Sequence, residues 1–263
     1  MFQTFKKLVK LNLDDLLLYL GVEGGLFLLI QIIIGCVMHF GRPDTSVTVA
    51  CIVFPIVGGF TALVAGISHM GVSFDQALRF GQTRKRALGL ILGLMSFQAA
   101  FALALAALLA AVERFLCVPL WTRLAGMNGW VPGQSGVMDF AVSPGHDAPM
   151  TGKVFENMAG ELVPVPEKTL IIVGDFTLDW YWWLLIFAVA VMGAAIIGAV
   201  IQRFGSKGGW IIWGICMAPV FLGQLLPWET YEINSWLFLV LGVIFVAGFL
   251  WSLWSLLHAV VRS

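Results

Sequence analysis

Leu88–Val112 reads LGLILGLMSFQAAFALALAALLAAV, twenty-five residues without one charge. As a helix this run rises about 37 Å, more than the ~30 Å of hydrocarbon in a bilayer. Arg84, Lys85 and Arg86 stand before it and Glu113 closes it. Five more apolar runs resemble it, at about 16–40, 47–68, 180–201, 210–226 and 235–260, so six transmembrane helices are expected. The composition agrees: 60% of the residues are hydrophobic, 11% are charged and the mean hydropathy is +0.93. No soluble fold hides that much apolar side chain from water. A disordered chain, a disulfide scaffold and a basic nucleic-acid binder are excluded by the same figures. The first run is too long for the apolar core of a signal peptide. His39, Gly41, Arg42 and Pro43 after it offer no small-x-small cleavage site.

Charge in the flanks orients the spans. Lys6, Lys7, Lys10, Arg79, Arg84, Lys85, Arg86, Arg203, Lys207 and Arg262 fall on one side, ten of the fifteen cations. Eleven of the fifteen acids fall on the other. Cations mark the cytoplasmic face, so both termini are expected there, and an even number of spans agrees. Trp180, Trp182, Trp183, Trp210, Trp213, Trp228, Trp236, Trp251 and Trp254 sit near span ends, as an aromatic belt requires. The expected fold is an all-α membrane protein in three parts: 1–113, with spans one to three; 114–178, an extracellular domain; and 179–263, with spans four to six.

The 114–178 stretch holds six of the ten prolines and no helical period, with one β-type run, Thr169–Val173. It reads as a small, partly β cap that rests on the spans. Residues 1–15 set Phe2, Phe5, Val9 and Leu13 on one helical face and Lys6, Lys7 and Lys10 on another, the pattern of an amphipathic helix lying in membrane lipid. Between spans two and three, Ser73 and Gln76 form a capping box with Asp75 in the first turn, and Gly81 suits a left-handed end. A free-standing helix over 74–80 is expected. Arg84, Lys85 and Arg86 then open a helix where its dipole disfavours them, which points to anionic lipid or an acidic partner.

Little else carries chemistry. There is no phosphate-binding loop, no H-E-x-x-H, no C-x-x-C and no G-x-S-x-G, and no nucleophile–base pair is visible in the linear sequence. His39 and His146 are assigned outside and His69 and His258 inside, which argues against a metal cluster. Cys36, Cys51 and Cys216 lie in spans and Cys117 outside, so no intrachain disulfide is implied. The polar residues expected at membrane depth are Glu23, Gln31, Gln98 and Gln224, candidates for a transport path. The bland alternative pairs Glu23 with Arg84 or Arg86. Pro55 and Pro219 are expected to break spans two and five. Gly21/Gly25, Gly89/Gly93 and Gly193/Gly197 suggest close helix packing.

The plan resembles the six-helix permease subunits of bacterial ATP-binding-cassette exporters, most particularly at Arg79-Phe-Gly-Gln-Thr-Arg-Lys-Arg86, similar to a "G-x-[ST]-R-K" turn of many such permeases. The large loop departs from that family, which more often carries it between spans five and six. The resemblance implies a bacterial plasma-membrane protein exporting a lipid, peptide or drug-like substrate by alternating access. It implies a coupling helix docking on an ATPase subunit through Ser73, Phe74, Asp75, Gln76, Arg79, Phe80, Arg84, Lys85 and Arg86. ATP and magnesium would belong to that partner, and this chain would carry no cofactor and no catalytic residue. A second permease, identical or related, would complete about twelve spans. Two other classes stay open: a non-transporting immunity, sensor or assembly subunit binding a partner through the outer cap, and a proton- or ion-coupled carrier built around Glu23.

Overall fold

The computed structural model describes residues 10, 12–133, 154–156, 162–164, 168–173, 178–205, 207–214, 217 and 235–258. The elements in chain order are α1 (Leu13–Gly41), β1 (Thr45–Val47), α2 (Ala50–Ser68), α3 (Phe74–Arg79), α4 (Arg84–Val112) and α5 (Val118–Leu124). They continue with β2 (Gly129–Gly133), β3 (Val154–Glu156), β4 (Leu162–Pro164), β5 (Thr169–Val173), α6 (Trp180–Ala188), α7 (Ala194–Phe204) and α8 (Ser235–His258). Residues 207–214 are also helical. Among the described residues, five stretches are long and apolar enough to cross a membrane: Leu13–Gly41, Ala50–Arg79, Arg84–Leu124, Trp180–Phe204 and Leu239–His258. This is a mainly helical, multi-pass membrane protein. Most of the run at 210–226, with Pro219 and Gln224, lies outside the described residues, as do residues 1–9 of the amphipathic segment.

Among the described residues, three of the long helices contain a π turn, at His69–Ser73, Glu113–Cys117 and Val189–Gly193. Each turn joins two α segments without interruption. An extra residue in such a turn rotates everything after it by about 100°, so one helix buries different faces on its two sides. Two expectations fail here. Helix α2 runs on through Pro55, although the proline lies in its second turn and removes the N–H that would reach the Cys51 carbonyl. The stretch after Glu113 is helical too. Pro119 sits in the first turn of α5, and Val118, Trp121, Thr122 and Ala125 bury one face at helical spacing. The helix therefore continues across position 113.

The chain forms two compact units. One contains Met1–Leu17, Gly58–Ala102 and Leu184–Ser263. Its core gathers Met70, Phe74, Leu88, Ile91, Met95, Ala194, Ala195, Ala199 and Leu256. Packing there is close enough to require glycine. A Cβ at Gly66 would meet Ala194 Cβ at 2.7 Å, and one at Gly198 would run into the Met70 side chain. Gly193 likewise lies against Leu63, whereas Gly21 and Gly25 face open space.

The other unit contains Leu18–Val57 and Leu103–Trp183. Phe27, Ala50, Phe54, Leu105, Ala106 and Leu109 form one cluster, with Phe27 and Phe54 edge to face at 5.7 Å. Met38, Val118, Trp121, Ala125, Leu170 and Ile172 form a second. The run Thr169–Val173 is a strand, as its β-branched residues predict. It is the centre of a parallel sheet ordered β1-β5-β2, and β3 and β4 make an antiparallel pair. β1 comes from the short α1–α2 connection, so the sheet is not drawn from residues 114–178 alone. Buried Leu170 and Ile172 seat it on α1 and α5.

Candidate functional site

The first unit holds a buried polar cluster. Asp15 lies in the first turn of α1, where its charge suits the positive helix end. His69 opens the π turn after α2, and Gln98 lies midway along α4. Gln98 Nε2 stands 2.9 Å from Asp15 Oδ2 and 3.1 Å from His69 Nε2, and His69 Nε2 is 3.1 Å from Asp15 Oδ2. His69 Nδ1 is 3.2 Å from Ser73 Oγ. His69 and Gln98 are buried, and the Asp15 side chain is 32% exposed. Of these, the sequence singled out Gln98 as a path residue and Ser73 as a cap. It passed over Asp15 and His69, which belong to distant segments.

This cluster brings a serine, a histidine and a carboxylate into series, a nucleophile–base set that the linear sequence does not display. Ser73 lies inside a continuous helix, whose N–H groups are spent on the preceding turn and form no oxyanion hole. The same geometry corrects the capping box. Ser73 has helical φ and ψ and makes no side-chain cap, because the helix does not start there. Its hydroxyl turns to His69 instead.

The second unit holds another polar centre. Glu113, the first residue of its π turn, is 1% exposed. Its Oε1 accepts from Gln31 Nε2 at 3.0 Å and its Oε2 from the Ala50 backbone N–H at 2.8 Å. A carboxylate thus closes the N-terminus of α2, where orphan N–H groups and the dipole favour an anion. Gln31 was expected at depth. In the sequence Glu113 marks only a span end, and an acid beside a long apolar run is the one signal of its role.

Glu23 stands apart from both. It lies in a buried stripe of α1 between Tyr19 and Phe27, is 0% exposed, and neither carboxylate oxygen has a hydrogen-bond partner among the described residues. Pairing with Arg84 or Arg86 is therefore not found. Arg84 Nη1 instead donates to the Leu257 carbonyl at 3.0 Å. That carbonyl belongs to the last turn of α8, whose C=O groups lack helical partners and carry the negative end of the dipole. This accounts for one of the cations at the start of α4.

No family model matches this chain, and neither does any curated protein or solved structure. The turn between α3 and α4 is then to be read on its own geometry. Gly81 has φ +78°, and its N–H reaches Leu78 O while Gln82 N–H reaches Ala77 O, a Schellman end. Phe74 is fully buried, and Asp75 accepts from Gln202 Nε2 at 2.7 Å, so neither presents a free docking face. Gln76, Arg79, Lys85 and Arg86 are exposed, and Phe80 is 86% exposed. The helix expected over 74–80 is the last stretch of a rod that begins at Ala50.

Proposed function

We propose that this chain is the membrane-spanning permease subunit of an ATP-binding-cassette exporter in a bacterial plasma membrane. The observation that carries the reading is Phe80, 86% exposed on a Schellman-closed turn beside Arg79, Lys85 and Arg86. An aromatic knob ringed by cations suits an apolar socket with an acidic rim on a partner. The turn ends an unbroken helix from Ala50 to Arg79, so force applied there is transmitted along that helix. An ATPase partner would supply ATP and magnesium, and a second permease would complete the pathway. The coupling surface narrows from the nine residues named from sequence to Gln76, Arg79, Phe80, Lys85 and Arg86. Copurification in mild detergent tests this. An ATPase should accompany the wild type and be lost from Phe80→Asp, and an unchanged complex in that variant overturns the reading.

One observation favours a second reading, a proton- or cation-coupled carrier. Glu23 is a wholly buried carboxyl group without a hydrogen-bond partner among the described residues, and acids at membrane depth mark proton and ion routes by default. Transport that follows an imposed gradient without any ATPase would select it.

A further inference from the structure

The atoms of the Asp15–His69–Gln98 cluster form a triangle with edges of 2.9, 3.1 and 3.1 Å. With Asp15 as the carboxylate, hydrogens cannot satisfy all three edges. If both Gln98 N–H groups donate, one to Asp15 and one to His69, then His69 Nε2 is an acceptor and faces the carboxylate lone pair to lone pair. If His69 Nε2–H donates to Asp15 instead, two donors face each other along the Gln98–His69 edge. Each assignment leaves one edge repulsive. Gln98 Oε1 has no partner, so nothing on the far side of the amide holds its orientation. Exchanging the amide oxygen and nitrogen leaves the heavy-atom positions unchanged. The corner then carries a carbonyl oxygen, and three lone pairs converge.

We propose that Asp15, His69 and Gln98 form a three-ligand site for a first-row divalent cation of the manganese, cobalt or nickel class. Ligand bonds of about 2.1 Å to atoms some 3 Å apart subtend about 90°, one face of an octahedron. A tetrahedral ion needs edges of about 3.4 Å at that bond length. Carboxylate, imidazole and carbonyl are the donor set such ions take, with the opposite face left to water. Two further features fit. Ser73 Oγ, 3.2 Å from His69 Nδ1, can accept its N–H and turn the Nε2 lone pair inward, which fixes the tautomer and the ring orientation. Asp15, 32% exposed, gives an entry path to a cluster otherwise buried. The ion would tie the start of α1 and the π turn after α2 to α4. This site does not rest on the exporter reading.

The test uses the full chain without a histidine tag, purified in detergent and titrated with Co²⁺ by calorimetry and visible absorption. One ion per chain is expected, with the weak absorption of six-coordinate cobalt. Asp15→Asn should weaken binding at least tenfold, and Gln98→Glu, which adds a charged oxygen at the same reach, should strengthen it about tenfold. His258→Gln should leave it unchanged, since that ring lies against Trp254 elsewhere. Asp15 is partly exposed and the Gln98 change conserves size, so both variants should fold where a His69 variant risks failing. Absence of saturable binding, an intense tetrahedral spectrum, or equal affinity in both variants overturns the site and leaves a hydrogen-bonded clamp.

Discussion

Glu113 Oε2 accepts the backbone N–H of Ala50 at 2.8 Å, across sixty-three positions of sequence. A side chain from a π turn thereby closes a helix that begins far away in the chain. A charge-assisted hydrogen bond contributes about 1.5–3 kcal/mol, and the helix end favours the anion further. Glu113→Ala should lower stability by about 2–4 kcal/mol, since it also strands the Gln31 amide. Glu113→Gln should lose about half of that, because its carbonyl still accepts one N–H. Thermal unfolding in detergent measures both, and equal stability of wild type and Glu113→Ala would contradict the cap.

Glu23 should behave in the opposite way. Its oxygens accept no hydrogen bond from the described residues, so its burial costs stability without a compensating contact. Glu23→Leu should raise the melting temperature and Glu23→Gln should leave it nearly unchanged. Destabilisation by Glu23→Leu would reveal a partner. If Glu23 serves transport, the stabler variant should be the inactive one, the trade-off expected of a functional buried polar group.

Phe74 and Phe80 lie six residues apart in one segment and should respond differently. Phe74 is fully buried among Met70, Leu88 and Ile91, and Phe74→Asp places a carboxylate in that core. It should cost more than about 4 kcal/mol and abolish expression. Phe80→Asp should leave melting within about 0.5 kcal/mol and remove only a docking partner. Membrane expression levels of the two variants, with the size-exclusion profile of Phe80→Asp in detergent, separate these effects.

Arg84 should contribute through the Leu257 carbonyl. Arg84→Gln removes the charge at the end of α8 and should cost about 1–2 kcal/mol. Arg84→Lys should retain part of it. Proteolysis of the C-terminal segment should accelerate in Arg84→Gln, and an unchanged cleavage rate would deny the contact a role.

The glycines give a paired test. Gly198→Ala forces a methyl into Met70 and should cost about 1–3 kcal/mol. Gly21→Ala meets open space and should stabilise α1 by up to about 1 kcal/mol. Melting temperatures of the two single variants check the signs.

The sequence by itself determined what each residue decides alone. Hydropathy adds along the chain, so the long apolar helices were legible from Leu88–Val112 and its counterparts. The β-branched run Thr169–Val173 announced its own strand, and Gly81 its left-handed turn. Polar partnerships were not legible in this way. Gln98 and Gln31 were found at depth, but Asp15, His69 and Glu113 became their partners only through packing. The capping box at Ser73 illustrates the conflict, because a local signal yielded to a helix that was already running. A π turn adds one residue and swings all later side chains by about 100°, and no periodic pattern records it. Which faces meet, and so which buried groups find hydrogen-bond partners and which, like Glu23, do not, was decided by the tertiary structure.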